Sequence, residues 1–166
     1  SIYILYHNLL LFVNININMN VSQNGLNRIE HSEGFVDHAY PDAGGLSIGY
    51  GTNLNTPELL AKYNVPGVTI TQAEAVELMM VKIAAIEAAF AASIIVPLTQ
   101  NQYDALASFT YNMGIASFET STLLKLLNQK NYQGAADQLL RWVYSQGKVS
   151  TGLTYRRQEE RTLFLT

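Results

Sequence analysis

A chain of 166 residues fits one domain, or one domain of two lobes, and buries most of its apolar surface without disulfide or metal staples. Apolar residues at 48% against 14% charged exclude a disordered chain, and the absence of cysteine excludes thiol catalysis, disulfide switching and cysteine-ligated zinc. The net charge of −3 conceals a split: residues 1–124 carry three Lys/Arg against ten Asp/Glu, whereas residues 125–166 carry seven against three, spaced along helical patterns with no nucleic-acid recognition motif.

Residues 1–27 contain no Lys, Arg, Asp or Glu. The apolar run Ile2–Val13, broken by His7 and Asn8, is short for a bilayer and lacks the basic flank and small-residue cleavage site of a signal peptide, so no stable membrane span is expected. From Val13 to Val21 apolar residues alternate with Asn14, Asn16, Asn18 and Asn20, which is strand periodicity. Three readings of residues 1–21 stay open: an added strand, a stretch upstream of a start at Met19, and a targeting segment. In each of them this is an extension outside a catalytic domain at 22–166.

Ser22 caps a short helix with apolar or small spacing at Leu26, Ile29 and Gly34. Tyr40-Pro41-Asp42-Ala43-Gly44-Gly45 is the strongest turn signal in the chain, and Leu46–Tyr50 is the strand of a small antiparallel sheet. Beyond Pro66-Gly67 the pattern becomes helical. Thr71-Gln72-Ala73-Glu74 is a capping box opening a helix toward Ser93, and Thr99 with Gln102 repeats the device before a stripe closed by Gly114. Further helices are predicted at about 121–129, 133–145 and 153–165. The fold class is therefore α+β and mostly helical, with a small sheet lobe over about 35–70, a helical lobe over about 71–166, and a cleft expected between them.

Two carboxyl groups stand out. Hydrolysis of a glycosidic bond needs a protonated acid at the leaving oxygen and a second carboxylate that activates water or stabilises positive charge. Glu33 lies where a helix gives way to Gly34-Phe35, and apolar neighbours favour the protonated form of a carboxyl. Asp42 lies in a glycine-rich, solvated turn. Ser47, just after it, offers a hydroxyl that holds water between Asp42 and a sugar. By spacing alone these residues are equally a solvated helix end, an ordinary turn and a strand serine. Trp142, among Leu139, Leu140 and Val143, reads as core; Arg156-Arg157 reads either as a solvated helix face or as charge aimed into a cleft. His31, Glu33, Asp37 and His38 lack the spacing that puts two histidines on one helix face, so no metal is expected.

The runs Glu33-Gly34-Phe35, Ala39-Tyr40-Pro41-Asp42 and Gly45-Leu46-Ser47-Ile48-Gly49-Tyr50-Gly51 resemble the E-G, Y-x-D and G-x-x-T-I-G-Y-G signature of phage lysozymes, glycoside hydrolase family 24. Leu98–Leu106, Ser108-Phe109 and Tyr111-Asn112-Met113-Gly114 resemble a second block. Ser121–Leu124, Arg141–Tyr144, Gly147–Val149, Gly152-Leu153, Arg156-Arg157 and Glu160-Arg161 resemble a third. The resemblance implies a lysozyme-like fold and a muramidase that cuts the β-1,4 bond between N-acetylmuramic acid and N-acetylglucosamine of peptidoglycan. It makes Glu33 the general acid, Asp42 its partner and Ser47 the counterpart of a threonine. Asn112 lines the cleft, and Arg156 reaches toward Glu33. It further implies no cofactor, a monomer, and an endolysin made in the bacterial cytoplasm that acts on the wall in the periplasm by an open export route. A lytic transglycosylase and a non-catalytic wall-binding module are the rival functions. Two departures mark this chain: four residues, where the family has five, separate Asp42 from Ser47, and Thr52 stands where the family has histidine.

Overall fold

The computed structural model describes residues 19–166 apart from Ala43, so the alternating segment up to Asn18 and the readings attached to it lie outside the described residues. These fall into two compact units: residues 27–85, and residues 19–26 together with 86–166.

Helix α1, Gln23–Glu33, begins under a buried acceptor. The Ser22 backbone N–H donates to Asp104 Oδ1 at 2.9 Å, its hydroxyl donates to Asp104 Oδ2, and the Gly25 N–H donates to Ser22 Oγ at 3.2 Å. A Cβ on Gly25 would stand 2.7 Å from Asp104 Cγ, so the close approach of helix and carboxylate requires glycine there.

In the unit 27–85 the chain forms a three-stranded antiparallel sheet of β1, Val36–Asp42, β2, Gly45–Gly49, and β3, Thr52–Asn53, in that order. The expected turn over 40–45 is tighter than the sequence suggests: Tyr40, Pro41 and Asp42 pair with Ser47, Leu46 and Gly45, leaving two residues at the tip. Pro41 is tolerated because β1 is an edge strand. Gly49 has φ +65°, and a Cβ on it would stand 2.9 Å from Ala75 Cβ. A short helix α2, Pro57–Tyr63, capped by Thr56, follows; at seven residues it is under two turns, too short for periodicity to show it. Ile29, Ile48, Leu54, Ala75, Met79 and Ile83 are buried in this unit.

Helix α3, Gln72–Ser93, opens on the expected capping box, with the Glu74 carboxylate accepting from the Thr71 N–H at 2.7 Å and the Glu74 N–H donating to Thr71 Oγ1 at 3.2 Å. Its residues from Ile86 onward belong to the second unit. That unit continues with α4, Gln100–Met113, α5, Ile115–Glu119, α6, Thr122–Asn128, and α7, Tyr132–Leu139. A hairpin of β4, Tyr144–Ser145, and β5, Lys148–Val149, precedes α8, Thr151–Phe164. Phe90 packs edge-on against Tyr103 and tilted against Phe118 in its core, beside buried Leu106, Phe109, Leu127 and Phe164. The helix expected over 133–145 ends at Leu139. Gln146 and Gly147, with φ 51° and 76°, form a two-residue turn whose twist suits a hairpin and not a helix. Trp142, expected in the core, is half-buried with its ring edge-on to Phe109.

The capping box of α4 is complete, with Gln102 N–H on Thr99 Oγ1 at 3.2 Å and the Thr99 N–H on Gln102 Oε1 at 2.9 Å. Thr99→Ala is expected to lower unfolding free energy by about 1 kcal/mol, read from urea melts; an unchanged midpoint would mean the cap contributes nothing there. No helix among the described residues is long and apolar enough to cross a membrane.

Candidate active site

Glu33, Asp42 and Ser47 lie in the unit 27–85, and the local fold explains where each stands. Glu33 is the last residue of α1, and Gly34, with φ +71°, turns the chain out of the helix into β1. Its half-buried carboxyl sits against the turn that follows β2: a Cβ on Gly51, itself at φ +71°, would lie 3.1 Å from Glu33 Oε2. The backbone conformation at 51 favours glycine, and any side chain there would also press on the Glu33 carboxyl.

Asp42 ends β1 and is exposed. Ser47 faces inward from β2 and is 0% exposed. Its Oγ is 3.1 Å from Asp42 Oδ2, so serine and carboxylate touch directly across the shortened hairpin. The same Oγ is 2.9 Å from Asn53 Oδ1 on β3, where Ser47 and Asn53 are register partners.

Tyr40 lies on the same strand as Asp42. Burial first, then the negative charges of Asp42 and Glu33, push its phenol above its ordinary value of 10.0. The phenol is therefore held in its neutral form.

Asn112 and Arg156 lie in the other unit, within one polar network. Arg156 is no solvated residue: its side chain is 10% exposed, donating through Nη2 to the Ser108 carbonyl at 3.1 Å and through Nε to Glu160 Oε1 at 3.2 Å. Arg157 is fully buried. Its Nη2 donates to Asn112 Oδ1 at 2.7 Å, its Nε lies 3.1 Å from Glu160 Oε2, and its guanidinium stands 5.0 Å from the centre of the Phe109 ring. The Ser108 hydroxyl donates to Glu160 Oε1 at 2.7 Å. Burial pushes the Glu160 carboxyl up from its ordinary value of 4.5, against the pull of Arg157, Arg156 and Ser108.

Sequence reasoning missed Asn53 and the internal role of Arg157, and took Gly51 only as part of a motif. Asn53 follows Thr52 in the chain, and only the β2–β3 register brings it to Ser47. The adjacent Arg156-Arg157 carried a signal of charge but none of burial.

Residues 30–160 match the family model described as phage lysozyme. The chain is 41% identical over 149 residues to the endolysin of Salmonella phage P22, covering 89% of this chain and 99% of that protein. A crystal structure of a P22 lysozyme mutant is similar at a TM-score of 0.76 and 40% identity, covering 89% of this chain and 99% of the other. The muramidase domain of SpmX from Asticaccaulis excentricus is similar at a TM-score of 0.78 and 31% identity, covering 90% and 99%.

Proposed function

The chain belongs to the phage lysozyme family, and from that premise we propose that it hydrolyses the β-1,4 bond between N-acetylmuramic acid and N-acetylglucosamine with Glu33 as general acid and Asp42 as carboxylate partner. Membership makes it a lysozyme-like α+β protein and a peptidoglycan hydrolase of the endolysin type, acting on the bacterial cell wall. The observation that supports the residue assignment is geometric: within one unit, the Glu33 carboxyl stands against the turn at Gly51, and the Asp42 carboxylate accepts from the buried Ser47 hydroxyl at 3.1 Å.

In this reading Glu33 gives its proton to the glycosidic oxygen as the sugar C1–O bond breaks, and positive charge spreads over C1 and the ring oxygen. Asp42 orients a water molecule and takes its proton as the oxygen bonds to C1. Asp42 then releases that proton to solvent, and solvent returns one to Glu33, so both groups regain their starting forms. Ser47 keeps the Asp42 carboxylate in one orientation, which matters because a near-attack geometry is worth several kcal/mol of barrier. In this reading Asn112 serves the glycan from an amide whose oxygen Arg157 already holds, and Arg156, committed to Ser108 and Glu160, acts on it only indirectly. The enzyme works as a monomer, made in the bacterial cytoplasm and acting in the periplasm.

End-group analysis of digested peptidoglycan tests the reaction. Each cut should create one new reducing end. Products carrying 1,6-anhydro ends instead would make the protein a lytic transglycosylase, and intact glycan after binding would make it a wall-binding module.

A further inference from the structure

Ser47 has one hydroxyl proton and two neighbours placed to receive it. Its Oγ lies 3.1 Å from Asp42 Oδ2 and 2.9 Å from Asn53 Oδ1, and the residue is fully buried, so no water relieves the conflict from its own side. An ionised carboxylate can only accept. A side-chain amide can do either, because a half-turn about its last torsion exchanges oxygen for NH2 at the same position. The arrangement that satisfies every group has the Asn53 NH2 donating to Ser47 Oγ and the Ser47 O–H donating to Asp42. Asn53 is exposed, so water serves the end of the amide that Ser47 does not use.

We propose that Asn53 is a positioning residue for the hydrolysis: by donating to Ser47 it commits the single serine proton to Asp42. The chain of hydrogen bonds crosses the whole sheet, from the last residue of β1 through β2 to β3. Backbone pairing supports it, since Ser47 and Asn53 are opposed in the β2–β3 ladder. The amide also lies beside the tip of the β1–β2 hairpin, where a Cβ on Gly44 would be 3.8 Å from Oδ1 and 4.0 Å from Nδ2. The proposal rests on Asp42 being the carboxylate partner, and it specifies what holds that partner in a chain with a shortened hairpin.

The decisive variant is Asn53→Asp, which keeps the shape of the side chain but removes the donor and adds a competing acceptor. Measured on soluble uncrosslinked glycan strands, kcat should fall about tenfold or more, the scale of one charge-assisted hydrogen bond, with KM within about twofold. The acid limb of the pH–rate profile should move to higher pH, because a lost hydrogen bond and a second negative charge both favour protonated Asp42. A purely structural effect would lower the melting temperature without moving that limb. Asn53→Leu should cost less than Asn53→Asp, and in a Ser47→Ala background it should cost nothing further.

If Asn53→Asp keeps the parental kcat and pH profile while Asp42→Asn is inactive, the proposal is overturned alone. An Asn53→Leu loss that persists in full in the Ser47→Ala background also overturns it. Parental turnover by Asp42→Asn would instead remove the reading of Asp42 on which the proposal stands.

Discussion

Purified Glu33→Gln protein should clear outer-membrane-permeabilised cells at least about 10²-fold more slowly than the parent, the lower end for loss of a general acid. Glutamine preserves the size of the side chain and can still hydrogen-bond, but it has no proton to give to the leaving oxygen. The fold should survive, because Glu33 is half-buried at the last position of α1 and the turn beside it is set by Gly34 and Gly51. Far-ultraviolet circular dichroism and a cooperative melt on the same preparation establish that the loss is chemical. Near-parental clearing by correctly folded Glu33→Gln would sink the assignment, whatever the family match implies. Asp42→Asn should also lose activity, for want of a carboxylate to activate water.

The largest stability effect is expected at Arg157→Met. Removing one partner of a buried ion pair typically costs about 3–5 kcal/mol, because the charge left behind stays desolvated. Arg157 fits that case: it is fully buried, it bonds Asn112, it lies over Phe109, and it faces a Glu160 that is itself buried. Arg156 remains beside Glu160 and keeps the cost from rising further.

The pH dependence distinguishes this account from simple loss of packing. Burial already pushes the Glu160 carboxyl up, opposed first by Arg157, so the variant pushes it further. A carboxyl that holds its proton more tightly folded than unfolded contributes stability below its unfolded value, and that stability is lost as pH rises through the folded value. The deficit of Arg157→Met should therefore be smallest near about pH 4 and grow toward neutrality. Adding Glu160→Gln should recover part of it and flatten that dependence. Urea unfolding from acid to neutral pH is the measurement, and a pH-independent deficit would show that lost packing, not the stranded carboxylate, is responsible.

Several features were legible because they are local. Both capping boxes join residues three apart, Thr71 to Glu74 and Thr99 to Gln102, so sequence spacing contains the whole interaction. The helix ending at Glu33 and the strand beginning near Leu46 were likewise readable from a cap, two glycines and alternation. The α+β class followed from these pieces. The carboxyl pair, with eight residues between Glu33 before β1 and Asp42 at its end, was recognisable as residue types at a spacing.

What tertiary structure decided depends on residues far apart in the chain. Composition gives Arg156-Arg157 as two charges; only the arrival of Ser108 and Asn112, 48 and 45 residues away, turns them into interior groups. Tyr132 to Leu139 stops where the periodicity continues, because a left-handed pair at Gln146 and Gly147 closes a hairpin that hydropathy does not encode. At the site itself, the sequence determined that Ser47 follows Asp42 by five positions. The sheet decided that Ser47 is buried, that it touches Asp42 directly, and that Asn53 stands opposite it, since strand register fixes which side chains share one proton.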